Sequence, residues 1–133
     1  MLLKSVIVFS SSVALAMAIS CIENEENMAG KSVHDPSWTH CMFIPSTTMR
    51  GMRQSGAGSE TENLDSISEM LKHNEERYSV LSVCVFERYD FRSIFPKQRH
   101  VMKPEFMFRC FCNTNNCNRA ENFHSFLGES HMA

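Results

Sequence analysis

The sequence predicts a small, disulfide-rich, antiparallel β domain that carries one helical insertion. The N-terminus has the form of a secretory leader, so the chain is expected in a compartment where cysteines pair. The chain has six cysteines, an even number, and three of them fall between Cys110 and Cys117. Short runs rich in β-branched and aromatic residues lie beside the cysteines, which is typical of strands. Together these features predict that covalent cross-links compensate for a small core.

The secretory leader is predicted at residues 1–18. Lys4 gives the start a positive charge, an apolar run follows, and Ala16-Met17-Ala18 matches an A-x-A cleavage site. The apolar run is too short to span a membrane as a helix. One alternative is an uncleaved anchor or a buried strand. Another is a bacterial lipoprotein signal in which Cys21 is lipidated and five cysteines remain to pair. We expect cleavage near Ala18 and a secreted, extracellular protein.

The mature chain is predicted to comprise one domain at residues 19–118 and a C-terminal tail at residues 119–133. The tail, which either docks as a short turn or is disordered, has no apolar run for a membrane anchor. Loss of Lys4 with the leader leaves 12 basic residues against 15 acidic ones, a net charge of −3. This balance does not favour nucleic acid as a partner. The sequence carries no motif for a cofactor, a metal or a catalytic residue, and we expect none of them.

The segment after Cys21 is predicted to form a solvated strand or loop, followed by a turn at Pro36. His34 and Asp35 suggest a catalytic pair, but a residue that precedes proline favours an extended or turn conformation. No nucleophile motif accompanies the pair. We therefore interpret this stretch as a hairpin turn with Trp38 packed on the core. The run from Met42 to Pro45 predicts a short apolar strand that ends at the proline.

The middle of the chain predicts a loop and then a helix. Residues 49–59 are rich in glycine and polar residues, which indicates a mobile loop. An amphipathic helix is predicted at residues 60–76, because Ser59 and Glu62 have capping-box spacing and apolar residues recur at intervals of three and four. Its apolar residues are Leu64, Ile67, Met70 and Leu71. This apolar stripe either packs on the sheet or binds a partner.

A strand at residues 78–86 and a basic hairpin after it are predicted next. The strand is rich in β-branched and aromatic residues, and Phe106-Met107-Phe108 predicts the returning strand. Between them, basic residues outnumber acidic ones, and we expect five of them to bind a partner: Arg88, Arg92, Lys97, Arg99 and Lys103. The charge indicates either a solvated tip or a contact with an acidic protein or a sulfated glycan.

The chain's most informative stretch is Cys110-Phe-Cys-Asn-Thr-Asn-Asn-Cys-Asn118. A disulfide between Cys112 and Cys117 would close a tight loop whose asparagines tolerate turn geometry. Cys110 would then need a more distant partner, and Asn118 could hydrogen-bond backbone across the loop. Six cysteines allow 15 connectivities, so spacing alone leaves the pairing open.

This ending, with another cysteine a few residues into the mature chain, resembles the three-finger superfamily. That group includes lymphocyte-antigen and urokinase-receptor type domains, snake three-finger toxins and activin-type receptor ectodomains. The resemblance implies a three-finger antiparallel sheet with the disulfides Cys21–Cys41, Cys84–Cys110 and Cys112–Cys117, and a structural role for Asn118. The pattern departs from the family because one further bridge is absent and because the middle segment is long.

The resemblance implies a non-catalytic function, namely a secreted module that binds cell-surface receptors or channels. One alternative is a small secreted hydrolase that uses His34, His40, Asp35 or His100. Another is a soluble decoy for growth-factor-type ligands. A zinc site formed by cysteines of the terminal stretch with His124 is a chemical rival, although its spacing matches no standard structural site.

Overall fold

The computed structural model describes residues 18–25, 28–47, 50–58, 62–93, 97 and 102–129. The predicted leader lies outside this part except for Ala18. The strands are β1 (Ser20–Glu23), β2 (Lys31–His34), β3 (His40–Ile44), β4 (Arg53–Ala57), β5 (Asn74–Glu75), β6 (Tyr78–Ser79), β7 (Val83–Tyr89) and β8 (Glu105–Cys112). The helices are α1 (Asp65–Leu71) and α2 (Phe123–Glu129). Within the described part, neither helix has the length and apolar content needed to cross a membrane.

The strands form antiparallel sheets, which confirms the predicted small β-rich fold with few helices. The largest sheet has four strands in the order β4-β3-β8-β7. Strands β1 and β2 form a separate pair, and β5 and β6 form a two-residue hairpin. Strand β3 pairs with β8 only from Cys41 to Phe43. The β3–β4 and β7–β8 hairpins are therefore joined at this short pairing and extend beyond it.

The structure has three disulfides, Cys21–Cys41, Cys84–Cys110 and Cys112–Cys117. The first two join strands, and the third closes the turn that follows β8. The predicted disulfide bonding is confirmed, and the pairs are those that the resemblance implies. Cys84 and Cys110 are directly opposed in the β7–β8 ladder, so their disulfide cross-links the base of that hairpin. The three cysteines of the zinc alternative are all in these disulfides, and that alternative is therefore wrong.

Asn118 ties the strands to one another at the base of the fold, and its side chain is fully buried. Its Oδ1 accepts a hydrogen bond from the Ile22 amide (2.9 Å). Its Nδ2 donates to the carbonyl oxygens of Ile22 and Met42 (2.9 Å each) and of Ser55 (3.3 Å). One amide therefore satisfies backbone groups of β1, β3 and β4, which is the structural role predicted for it.

The core includes a cluster of buried cysteines and aromatic rings beneath α2. The rings of Phe43 and Phe126 stack with their centroids 4.8 Å apart, and both side chains are buried. Phe126 lies on α2, in the tail predicted to begin at residue 119, so the docked alternative holds for this part of the tail. A second cluster lies between α1 and the sheet and contains Ile67, Leu71 and Phe111.

The prediction of a mobile loop at residues 49–59 is wrong for Arg53–Ala57, which form strand β4; residues 49 and 59 lie outside the described part. Gly56 faces the Trp38 ring so closely that a Cβ atom built on it would lie 1.8 Å from the indole. Gln54 is buried because its Nε2 donates to the carbonyl oxygens of Asn118 and Ala120. Glycine and glutamine weaken a strand signal, and only these distant contacts explain why they occur here.

The predicted helix at residues 60–76 is shorter in the structure and comprises Asp65–Leu71. No side chain caps its start, and Glu62 instead forms an ion pair with Arg109. The helix ends where the apolar stripe ends, and the chain then forms the β5–β6 hairpin. The predicted strand at 78–86 is accordingly split, since Tyr78–Ser79 is β6 and β7 begins at Val83.

His40 makes the stability of the fold depend on pH. Its ring is buried, with Nδ1 2.8 Å from Thr39 Oγ1 and Nε2 3.3 Å from Ser68 Oγ. Burial lowers the pKa of His40 below its ordinary 6.5, so the unfolded chain binds a proton more readily than the folded chain does. We expect the free energy of unfolding to be highest above about pH 6.5 and to fall as the pH decreases through the lowered pKa.

Urea unfolding between pH 4.5 and 7.5 tests this expectation. A His40→Gln variant should lose the dependence above about pH 5.5, where the carboxylate of Glu87 is ionised in both states, and a variant of the exposed His34, His34→Gln, should retain it. Equal slopes for the wild type and His40→Gln would contradict the assignment to His40.

Candidate protein-binding surface

The hairpin of β7 and β8 has two faces of different chemistry. The register pairs Phe86 with Phe108 and Arg88 with Phe106. Because side chains alternate along a strand, these four residues lie on the face that also carries the Cys84–Cys110 disulfide. The opposite face carries Glu87, Tyr89, Met107 and Arg109, and its base packs on α1.

The first face exposes aromatic rings to solvent. Phe86, Phe106 and Phe108 are 58%, 55% and 37% exposed, far more than is usual for phenylalanine. Phe86 contacts both of the others, with ring centroids 5.2 Å from Phe106 and 4.8 Å from Phe108. Phe123 of α2 stacks on Phe108 at 5.1 Å. We call Phe86, Phe106, Phe108 and Phe123 the aromatic face.

A contiguous apolar surface of this kind is a signature of interaction sites. Beside it lies a shallow groove of about 520 Å³ that Pro45, Ser46 and Thr47 line together with β8. Leu127 on α2, four residues after Phe123, is also 46% exposed. The groove adjoins the aromatic face at Phe106 and Phe108, and α2 adjoins it at Phe123.

The basic residues predicted to bind a partner differ in exposure and in whether a carboxylate compensates their charge. Arg88 is exposed and its guanidinium lies 5.6 Å from the Phe106 ring centroid, so it adds a cation to the aromatic face. Arg92 is paired with Asp90, whose carboxylate accepts from Nε at 2.8 and 3.0 Å. That pairing lowers the pKa of Asp90 to about 2. Lys97 and Lys103 are exposed, and Arg99 lies outside the described residues.

The opposite face of the hairpin holds an ion-pair network centred on Arg109. The guanidinium donates to Glu87 through Nε and Nη2, each at 2.6 Å, and also pairs with Glu62. These hydrogen bonds lower the pKa of Glu87 and raise that of Arg109. The pKa of Tyr89 is raised, chiefly by burial and then by its hydrogen bond to Glu87. Because Arg109 is compensated by two carboxylates, it contributes little to the basic character of the hairpin.

The described residues of the hydrolase alternative, His34, Asp35 and His40, form hydrogen bonds with other residues and not with one another. Oδ1 of Asp35 accepts hydrogen bonds from the amide (2.8 Å) and hydroxyl (2.6 Å) of Ser37, which lower its pKa and form the predicted turn. His34 is exposed, with Nδ1 3.4 Å from Ser20 Oγ. His40 is buried, where its ring links β3 to α1. His100 lies outside the described residues.

The aromatic face is not predicted by the sequence. Phe106 and Phe108 predict a returning strand, and their spacing of two residues places both on one side of it. Their adjacency to Phe86 follows from the strand register, and the contact with Phe123 follows from the docking of α2. The alternating phenylalanines were thus the one local signal for this surface.

Comparisons with known proteins identify a family for this chain but no activity. A family described as "Family of unknown function (DUF5354)" matches residues 11–130. The chain is also 24% identical over 107 residues to the Caenorhabditis elegans "Uncharacterized protein C02B8.3", an alignment that covers 80% of this chain and 76% of that protein. No solved structure matches the chain.

Proposed function

The chain belongs to DUF5354, a family of unknown function. We propose that it is a secreted, non-catalytic module that binds a cell-surface protein through the β7–β8 hairpin. The observation that carries the proposal is the aromatic face. Exposed rings that contact one another remove water from a large area at little conformational cost, and such residues dominate the energetics of protein interfaces.

The fold supports this proposal by keeping the hairpin in a fixed position. The Cys84–Cys110 disulfide joins its strands at the base, and Cys110 is fully buried in the core cluster. A surface whose backbone is already ordered loses little entropy on binding. Three hairpins extend from the region of the disulfides, namely β1–β2, β3–β4 and β7–β8, and they support the three-finger arrangement that we propose for the chain.

The charge distribution suggests the chemistry of the partner. Arg88, Lys97 and Lys103 add exposed positive charges to a chain that is acidic overall. A partner with an acidic rim around an apolar centre would complement both features, because the charges would speed association and the rings would supply affinity. The leader pattern and the three disulfides support a secreted, extracellular location.

Binding to a library of cell-surface ectodomains displayed on cells tests the proposal, with the dissociation constant measured for each partner found. We expect Phe106→Ser and Phe86→Ser each to weaken binding at least tenfold, since central aromatic contacts are each worth about 2 kcal/mol or more. Tyr78→Ser is the matched control, because Tyr78 is 53% exposed on the separate β5–β6 hairpin. Equal loss from Tyr78→Ser, or no loss from the phenylalanine variants, would contradict the proposal.

The same binding measurement distinguishes the contribution of Arg88 from that of the ion-paired Arg92. Arg88→Gln should slow association and reduce its salt dependence. Arg92→Gln should have a smaller effect, because Asp90 already compensates the charge of Arg92.

A further inference from the structure

A small cavity lies on the face of the β7–β8 hairpin opposite to the aromatic face. It lies between this hairpin and the described residues 44–47 and 50–53, and its volume is about 180 Å³. Ile44, Pro45, Phe91 and Met107 provide apolar walls, and Arg50 and Arg53 add two guanidinium groups. Among the described residues that line it, none is acidic.

Arg50 is held by an aromatic stack at the edge of this cavity. Its guanidinium carbon lies 5.0 Å from the centroid of the Phe91 ring. Phe91 in turn stacks on Tyr89, with centroids 5.6 Å apart and an interplanar angle of 3°. Stacking uses the flat face of a guanidinium and leaves the N–H groups on its edge available as donors. The cation is therefore oriented in advance of any ligand.

The positive charge at the cavity is not cancelled by its neighbours. Arg109 is compensated by Glu87 and Glu62, whereas neither Arg50 nor Arg53 forms an ion pair with any described residue. Glu87 adjoins the cavity, but it bonds to the lining residues Tyr89 and Arg109. Glu23 and Glu25 line a separate, larger cavity together with Arg50 and Arg53. Two guanidinium groups thus adjoin an apolar pocket without a carboxylate bound to them.

We propose that this cavity binds an aryl anion, meaning one aromatic ring that carries a sulfate or carboxylate group. A cavity of about 150 Å³ is known to accommodate one benzene ring, and this cavity of about 180 Å³ matches a single ring. The planar donors of arginine match the paired oxygens of sulfate and carboxylate. The ring would contact Phe91 and Met107, and the anion would lie between Arg50 and Arg53.

Such a ligand has two sources, a free aryl acid or a sulfated tyrosine side chain of another protein. Both present the same chemistry to the cavity. The inference does not depend on the proposed function, because the cavity and the aromatic face occupy opposite sides of the hairpin. Failure of one therefore leaves the other intact.

Titration of the isotope-labelled, disulfide-intact protein with phenyl sulfate, followed by NMR, tests the inference. We expect the amide signals of Gly51, Phe91 and Met107 to shift, and neutral benzyl alcohol to bind at least tenfold more weakly. Arg50→Gln and Arg53→Gln should each weaken phenyl sulfate binding about tenfold, the usual effect of losing one charge-assisted hydrogen bond. Arg77→Gln removes an equal charge from the exposed β5–β6 turn and should change nothing.

The outcomes separate the proposal from its rivals. Shifts that are absent, or equal for phenyl sulfate and benzyl alcohol, or unaffected by Arg50→Gln in a protein that keeps its unfolding midpoint, would overturn it. A Phe91→Leu variant keeps the cavity apolar and removes the ring beneath Arg50, so it should weaken phenyl sulfate more than benzyl alcohol. A short peptide with a central sulfotyrosine that binds more tightly than phenyl sulfate would identify a protein as the source. Equal affinities would identify a free aryl acid.

Discussion

Replacement of Asn118 by aspartate is expected to lower the free energy of unfolding by about 4 kcal/mol, a large part of the stability of a small domain. The two side chains have the same shape, but an oxygen takes the place of the Nδ2 group. That group donates to three backbone carbonyl oxygens, those of Ile22, Met42 and Ser55. In the variant, oxygen would face oxygen at all three positions, in a site closed to water.

Urea unfolding at neutral pH measures this loss. Asn118→Ala removes the amide without adding a repulsive group, and should cost about 3 kcal/mol because the backbone groups of β1 and β3 stay buried without partners. Asn113→Asp is the matched control, since Asn113 lies in the same Cys112–Cys117 loop and is exposed. It should change stability by no more than about 0.5 kcal/mol.

The pH dependence of the aspartate variant adds an independent check. Burial and the facing carbonyl oxygens should raise the pKa of the introduced carboxyl, and the protonated form can donate one hydrogen bond. A group whose pKa is raised on folding contributes most when it is protonated in both states. The difference in stability between Asn118→Asp and the wild type should therefore shrink as the pH falls from 7 to 4. A difference that stays constant or grows would contradict this account of the site.

Much of the fold could be predicted because its signals are local or covalent. The terminal cysteines and Asn118 have a spacing that carries geometric information, and the apolar runs at β3, β7 and β8 indicate strands. Strand β4 could not be predicted in this way. Gly56 is required by the Trp38 ring and Gln54 by the carbonyl oxygens of Asn118 and Ala120, and such contacts between distant residues leave no local pattern.

The candidate surfaces were predictable to different degrees. The basic residues of the hairpin are visible in the sequence, but the compensation of Arg92 by Asp90 and of Arg109 by Glu87 depends on side-chain geometry. The aromatic face needs the register of β7 with β8. The aryl-anion cavity needs the position of one hairpin relative to another, because Arg50 and Phe91 are far apart in the sequence. Charge could be predicted, and its location in the fold could not.

Phe126→Ala is expected to lower the free energy of unfolding by about 3–5 kcal/mol, the usual cost of removing a buried aromatic ring. Phe126 is 1% exposed and its ring stacks on that of Phe43, so truncation would leave a cavity beside the buried cysteines. Leu127→Ala removes a neighbouring apolar side chain that is 46% exposed, and should cost much less. Urea unfolding measures the free energy of unfolding of both variants. Equal and small losses would contradict the docking of α2 and would indicate a tail that does not pack on the domain.

The same pair of variants connects the core to the proposed binding surface. Phe123 lies one turn before Phe126 on α2 and stacks on Phe108 of the aromatic face. If Phe126 holds α2 in place, Phe126→Ala should displace Phe123 and weaken partner binding even though Phe126 itself is buried. Phe123→Ser should weaken binding with a smaller loss of stability, because Phe123 is only partly buried. Undiminished binding by a folded Phe126→Ala variant would show that the aromatic face consists of the hairpin alone and that α2 serves only the core.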